Sequence, residues 1–103
     1  MPEIFTTVEW IPKDGEEEAF VAAWRKFAGW ARTMPGAGTL RLSRDLGDAT
    51  RYVSFGRWES AEAAHAWKHN AEFPERMAAV QQHVAKFSPA ELMIVAEISS
   101  PLG

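Results

Sequence analysis

The chain has 103 residues, of which 47% are hydrophobic and 24% charged, and this composition excludes a disordered or low-complexity protein. Its length is typical of one globular domain, so we expect a single domain over residues 1–103. The formal net charge of −3 provides no basic surface for phosphates, and we expect neither a nucleic-acid partner nor an anionic membrane partner. Five Trp, six Phe and one Tyr are many rings for a small interior, which predicts that some of them line a pocket or an interface.

Cysteine is absent from the chain. Its absence excludes disulfides, thiolate metal sites and cysteine nucleophiles. Residues 1–5 lack the cationic and apolar regions of a signal peptide, and no window of the sequence reaches the ~18 apolar residues of a membrane span. These features predict a cytoplasmic protein.

The first third of the chain predicts a strand followed by a helix. Residues 3–11 alternate between two sets of β-branched and aromatic side chains, which is typical of a strand, and Pro12 is expected to end it. Asp14 stands three residues before Glu17 in the arrangement of a capping box, which predicts the start of a helix. Pro35 and Gly36 predict its end near residues 32–34. Its apolar stripe comprises Phe20, Trp24, Phe27 and Ala31.

The middle of the chain predicts a hairpin and a capped helix. Residues 39–46 and 51–58 alternate apolar with polar side chains around the turn formers Gly47 and Asp48, which indicates two antiparallel strands. Ser60 is suited to cap an alanine-rich helix that runs to residues 67–69. An interruption at residues 70–74 then separates this helix from the next one.

The last third predicts a helix and a final strand. Apolar side chains recur at helical spacing from Phe73 to Phe87, so we expect a third helix over residues 73–86, ended by Ser88 and Pro89. Residues 91–98 alternate and are predicted to form the last strand. The order β-α-β-β-α-β, with a broken second helix, predicts an α+β fold of the ferredoxin-like type with an antiparallel four-stranded sheet.

Both faces of the predicted sheet carry apolar side chains, as Ile4 and Phe5 illustrate on the first strand. Two helices can cover only one face, and a solvated face would be polar. We therefore expect a homodimer that buries the second face. Phe5, Trp10 and Phe55 are the aromatic candidates for this seam.

The three histidines are the side chains that titrate near neutrality. His65 and His69 have the i, i+4 spacing of a helical metal pair, with Glu62 on the same face, but the zinc motif His-Glu-x-x-His is absent. A catalytic zinc also needs three protein ligands, so we predict no metal site. His83 lies among glutamines and a lysine and is predicted to be solvated.

Residues 52–77 contain a recognisable pattern. A strand ends in Trp58-Glu59-Ser60, the following helix carries Trp67, and Phe73 opens the last helix six residues later. This pattern resembles the antibiotic biosynthesis monooxygenase family. The resemblance implies a dimeric ferredoxin-like α+β barrel with a pocket between helices and sheet in each subunit.

The resemblance also implies a function. Some members of the family oxidise an aromatic polyketide or quinol-type metabolite with O₂ and without metal, flavin or haem, so we expect a small aromatic or apolar ligand and no cofactor. The candidate catalytic residues are Trp67, Tyr52 and Asn70. The candidate substrate-binding residues are Thr7, Phe73, Met77 and Trp30.

Two other functions stay open from the sequence. One is a non-catalytic dimeric domain that binds a small ligand or serves a stress response, because a fold does not determine a function. The other is haem binding or degradation. The haem-degrading members carry a histidine where this chain has Met77 and an asparagine on the first strand where it has Thr6 and Thr7. Both differences disfavour haem, because a lone thioether is a weak axial ligand.

Overall fold

A computed structural model describes residues 2–102. Four antiparallel strands form one sheet in the order β2-β3-β1-β4, and three helices cover one of its faces. This arrangement confirms the predicted ferredoxin-like α+β fold with a broken second helix. The elements are β1 (Ile4–Pro12), α1 (Glu17–Ala31), β2 (Ala37–Arg44), β3 (Tyr52–Trp58), α2 (Ala61–Lys68), α3 (Phe73–Gln81) and β4 (Val84–Met93).

The core lies between the helices and the two central strands, β1 and β3. Trp10 of β1 and Phe20 of α1 are fully buried, with ring centroids 5.5 Å apart. Tyr52 stands opposite Trp10 in the register of β1 with β3 and packs edge-on against Phe20. Trp10 is therefore a core residue, and its expected place at a dimer seam is wrong. The apolar stripe predicted for α1 does face this core.

The two predicted helix starts have different outcomes. The Ser60 hydroxyl accepts a hydrogen bond from the Ala63 amide at 3.1 Å, which confirms the predicted cap of α2. The capping box at Asp14 is wrong, because α1 begins at Glu17 with Glu16 as its N-cap and no side chain caps it. Asp14 instead lies in the turn after β1, where Gly15 has φ = 79°.

The prediction for the last third of the chain is wrong in its boundaries. Helix α3 ends at Gln81, and the last strand covers Val84–Met93 rather than residues 91–98. Pro89 lies inside this strand, paired with Val8 of β1. A proline is tolerated there because β4 is an edge strand and one of its sides needs no hydrogen-bond donor.

The face of the sheet opposite the helices has no cover within the described chain. Phe5, Ile11, Val53 and Phe55 alternate with the core residues of their strands and are half-buried. Large exposed apolar side chains concentrate in residues 87–102, which we call the C-terminal apolar segment. Its exposed members are Phe87, Leu92, Met93, Ile94, Val95, Ile98 and Leu102.

Among residues 2–102, no helix is both long enough and apolar enough to cross a bilayer.

Candidate functional site

A cavity of about 230 Å³ lies between the sheet and the helices. Its floor comes from β1 and β3, and its walls come from α1, α2, α3 and the edge strand β4. Apolar and aromatic side chains dominate it, which is typical of sites for small organic ligands. The aromatic residues of its lining that lie on the helix side of the sheet are Trp10, Trp24, Phe27, Trp67, Phe73 and Phe87.

Trp67 occupies one wall of the cavity and is 6% exposed. Its indole stacks on Trp58 with centroids 4.8 Å apart and meets the edge of Phe73 at 5.1 Å. These contacts hold the ring in one orientation. Its Nε1 is buried, and no residue in the described part of the chain accepts a hydrogen bond from it. A buried unpaired donor is costly, and in a wall of a cavity it is a candidate contact for a ligand oxygen.

The floor of the cavity contains two buried hydroxyls. Trp58 Nε1 donates to Thr6 Oγ1 at 3.0 Å, and Trp10 Nε1 donates to Ser54 Oγ at 2.9 Å. Thr6 and Ser54 are 6% and 7% exposed. The two tryptophans therefore hold both hydroxyls at defined positions beside the cavity.

One charged side chain, Lys68, contributes to the cavity lining within residues 2–102. Its Nζ lies 3.5 Å from Glu91 Oε1, and His65 Nε2 lies 3.4 Å from Glu91 Oε2. These pairs link α2 to β4 at the edge of the cavity. The described residues include no group of three His, Cys, Asp or Glu side chains that could hold a metal ion.

His83 is not solvated as predicted. Its side chain is 23% exposed, and its Nδ1 lies 2.9 Å from Glu16 Oε1. The Lys13 amide donates to the His83 carbonyl oxygen at 2.9 Å. His83 therefore connects the end of α3 to the start of α1, a long-range contact that sequence spacing does not reveal.

Four of the residues expected to form the site lie together. Trp67, Phe73 and Met77 line the cavity from α2 and α3. Thr7 borders it from β1, although alternation places its side chain on the opposite face from Thr6. Phe73 and Met77 are half-buried and pack against the core. The helical spacing of the two residues on α3 brings both to the same wall.

Three expected site residues lie outside the cavity lining. Tyr52 packs in the core, with its ring 5.3 Å from Phe20. The Asn70 Oδ1 accepts a hydrogen bond from the Glu72 amide at 2.8 Å and so holds the turn between α2 and α3. Trp30 is buried against its aromatic neighbours, with the Arg76 guanidinium 5.3 Å from its ring. Their functional roles stay sequence-based predictions.

Sequence reasoning missed Thr6, Ser54 and Trp24 as cavity residues. Alternation places Thr6 on the same face of β1 as Trp10, so a polar residue on a buried face was the available signal. For Ser54 the same signal exists on β3. Trp24 belongs to the apolar stripe predicted for α1, and it packs on the core while also lining the cavity.

Comparison with solved structures gives the same fold at low sequence identity. A Bordetella bronchiseptica protein with a proposed antibiotic biosynthesis monooxygenase assignment is 18% identical, with a TM-score of 0.81, covering 93% of this chain and 100% of that one. A Nitrosomonas europaea protein with the same proposed assignment is 21% identical, with a TM-score of 0.77 and 90% of each chain covered. SnoaB, a cofactor-independent oxygenase from Streptomyces nogalater, is 16% identical, with a TM-score of 0.79, covering 98% of this chain and 99% of that one.

A comparison with curated proteins finds no match. The sequence model of one family, described as antibiotic biosynthesis monooxygenase, matches residues 4–79. The matched region begins with β1, includes Trp67 and Phe73, and ends within α3. The chain belongs to the antibiotic biosynthesis monooxygenase family.

Proposed function

We propose that this protein is a cofactor-independent monooxygenase that oxidises a small aromatic substrate, such as a quinol, in the cavity beside Trp67. The observation that carries the proposal is the position of Trp67 in a wall of an aromatic cavity, together with its buried Nε1, which has no acceptor in the described chain. A substrate oxygen would be the acceptor. The fold shared with a cofactor-independent oxygenase supports this reaction class.

The reaction uses the substrate as its own reductant. A phenolate-type anion transfers one electron to O₂, and the two radicals recombine at a ring carbon. Loss of water then converts the ring CH₂ group of the substrate's keto tautomer and O₂ into a carbonyl group and H₂O, so one oxygen atom enters the substrate and the other leaves as water. The chain contributes a site that excludes water, orients the ring and stabilises the anion.

The cavity residues match these tasks. Phe27 and Phe73 provide faces and edges for an aromatic ring, and Trp67 provides a hydrogen-bond donor. Lys68 also belongs to the lining, with its Nζ 3.5 Å from Glu91 Oε1. Neither a carboxylate nor a histidine lines the cavity within residues 2–102. We therefore propose that the substrate loses its proton to solvent first and then binds as the anion.

Oxygen uptake with one-ring and two-ring hydroquinones, and with anthrones as larger substrates, tests the reaction. We expect turnover by the wild type and at least a tenfold lower kcat for Trp67→Phe, which keeps a ring but loses the N–H; removing one preorganised donor to an oxyanion typically costs about 10²–10³ in rate. Thermal unfolding of both proteins controls for a loss of folded protein. Equal kcat in folded Trp67→Phe would contradict the role of Trp67.

The same experiment separates this proposal from its alternatives. A protein that oxidises none of the substrates, but whose Tm rises with a hydroquinone, is a binding domain. A shift of the Soret band after haemin is added would favour haem chemistry instead.

We also propose a homodimer that buries the open face of the sheet. The half-buried apolar side chains of that face and the exposed C-terminal apolar segment support it, because monomeric proteins rarely expose contiguous apolar surface of this kind.

A further inference from the structure

Thr6 and Ser54 are residues more than nine-tenths buried, and both belong to the floor of the cavity. They lie on neighbouring strands, because Thr6 stands opposite Gly56 and Val8 stands opposite Ser54 in the register of β1 with β3. The two hydroxyl-bearing residues are thus diagonal neighbours on one face of the sheet, about 7–8 Å apart. Neither residue is among the substrate-binding candidates that the sequence predicts.

Each of these hydroxyls accepts a hydrogen bond through its oxygen and leaves its own O–H donor unused. A hydroxyl has one donor and two acceptor lone pairs, whereas an indole N–H is a donor only. Trp58 and Trp10 donate to the two oxygens at 3.0 and 2.9 Å. The hydroxyl hydrogens cannot point back at the indoles that bind them. Within residues 2–102, no side-chain hydrogen bond has either hydroxyl as its donor.

Two buried donors beside a cavity discriminate between ligands. A ligand oxygen satisfies one of them, and a second oxygen on the same ligand can satisfy the other, whereas a hydrocarbon of the same shape leaves both desolvated and unpaired, which is the costly case. The size of the cavity limits the ring system. An apolar cavity of about 150 Å³ is enough to hold benzene, so 230 Å³ has room for one or two fused rings.

We propose that Thr6 and Ser54 form a hydrogen-bond-donating floor that selects one- or two-ring aromatic ligands carrying a ring oxygen over the matching hydrocarbons. This inference rests on the proposed function in one respect: both take the cavity as the site where the ligand binds. It adds two specificity-determining residues and a substrate class defined by ring number and by a ring-borne oxygen.

Equilibrium dialysis under nitrogen with 1-naphthol and naphthalene tests the floor. The wild type should bind 1-naphthol at least tenfold more tightly than naphthalene. Because one ring oxygen cannot accept from two hydroxyls this far apart, at least one of Thr6→Val and Ser54→Ala should lower this ratio about three- to tenfold, as expected for one neutral hydrogen bond. Thr6→Ser keeps the hydroxyl and should keep most of the ratio.

Ser43→Ala is the matched control, because Ser43 lies on β2, is exposed and donates its hydroxyl to the Val53 carbonyl oxygen. The preference of this variant for 1-naphthol over naphthalene should equal that of the wild type. Near-ultraviolet circular dichroism verifies that each variant is folded, and Thr6→Ala, which also lacks the hydroxyl, serves where Thr6→Val is unstable.

An unchanged ratio in both folded hydroxyl-deletion variants would overturn the inference, as would a wild type without preference for 1-naphthol. Binding is measured without turnover, so the result is independent of the reaction. If oxygen uptake is absent while either variant lowers the ratio, the proposed reaction fails and the hydroxyl floor stands.

Discussion

Gly36 illustrates how one residue without a side chain permits the connection between α1 and β2. It has φ = 83°, and its carbonyl oxygen accepts a hydrogen bond from the Glu59 amide at 2.8 Å. A Cβ added there would lie 2.7 Å from the Cβ of Ala63 on α2. The position therefore excludes side chains for two reasons, a left-handed backbone and a neighbour that cannot move independently of its helix.

Gly36→Ala is expected to lower the free energy of unfolding by at least about 1–2 kcal/mol, the cost of the left-handed conformation. Gly29→Ala is the matched control, because an added Cβ meets no atom within 4 Å there and Gly29 lies inside α1. Alanine at that helical position should stabilise by about 0.5–1 kcal/mol. Urea unfolding measures both, and equal effects of the same sign would contradict the explanation.

At the scale of single elements, helix caps and turns depend on a few polar contacts. Helix α2 carries Trp67 into the cavity wall, and Ser60 determines where this helix begins. The turn between β2 and β3 depends on Asp45, whose side chain accepts from the Gly47 and Asp48 amides and pairs with Arg51. Both contacts can be tested separately from the cavity.

Ser60→Ala should lower the free energy of unfolding by about 1 kcal/mol, because the cap of α2 loses its acceptor. Asp14→Ala should change it by less than about 0.5 kcal/mol, because Asp14 is exposed and caps no helix. Chemical unfolding compares the two variants. A larger effect for Asp14→Ala would restore the capping box that the sequence predicts.

The turn should respond to acid. The hydrogen bond from the Gly47 amide, with the Arg51 guanidinium, holds the pKa of Asp45 below its ordinary value of 3.8. A carboxyl group with a lowered folded-state pKa stabilises the fold above its ordinary pKa, and this contribution is lost as the pH falls through the folded-state value. Asp45→Asn should therefore reduce the loss of stability between pH 5 and pH 2. If the midpoints of urea unfolding are the same for wild type and variant at every pH in this range, the prediction is contradicted.

At the scale of the whole molecule, the sheet has one face covered by helices and one face open. The open face and the C-terminal apolar segment together place apolar side chains where a monomer would expose them to water. Leu92 belongs to both regions, because it lies on β4 opposite Phe5 and is 47% exposed. It is therefore the position at which the proposed dimer is most directly tested.

Light scattering should give the wild type twice the mass of one chain at micromolar concentration. Leu92→Glu should weaken the dimer by at least about tenfold, because it places a charge in an apolar interface. Leu46→Glu is the control: Leu46 is fully exposed in the turn between β2 and β3, and its variant should keep the wild-type mass. A monomeric wild type would contradict the proposed assembly.

The order of elements was predictable because each depends on local spacing. Alternation defines β1 and β3, the helical stripe from Phe20 defines α1, and Ser60 defines the start of α2. The resemblance over residues 52–77 also identified the family that the sequence model matches. Trp67 and Phe73 follow from that resemblance, and the structure brings both to one cavity.

The boundaries of the last strand depended on tertiary contacts. Val80, Val84 and Phe87 have the spacing of a helix, and Pro89 is unfavourable in a strand, so local signals favoured a helix to residue 86. Strand β1 supplies the hydrogen-bonding partner for Val84–Met93, and the edge position makes Pro89 tolerable. Pairing across the sheet outweighed local propensity.

The sequence by itself determined the element order, the burial of one face of each element and the family, because these follow from the period and type of nearby side chains. The tertiary structure decided which polar groups share the cavity. Thr6 and Ser54 are 48 positions apart in the chain and meet only through the pairing of β1 with β3. Tyr52 and Asn70 instead contact the core and a turn. Hydrogen-bond partners across a sheet depend on its register, which spacing along a single strand does not specify.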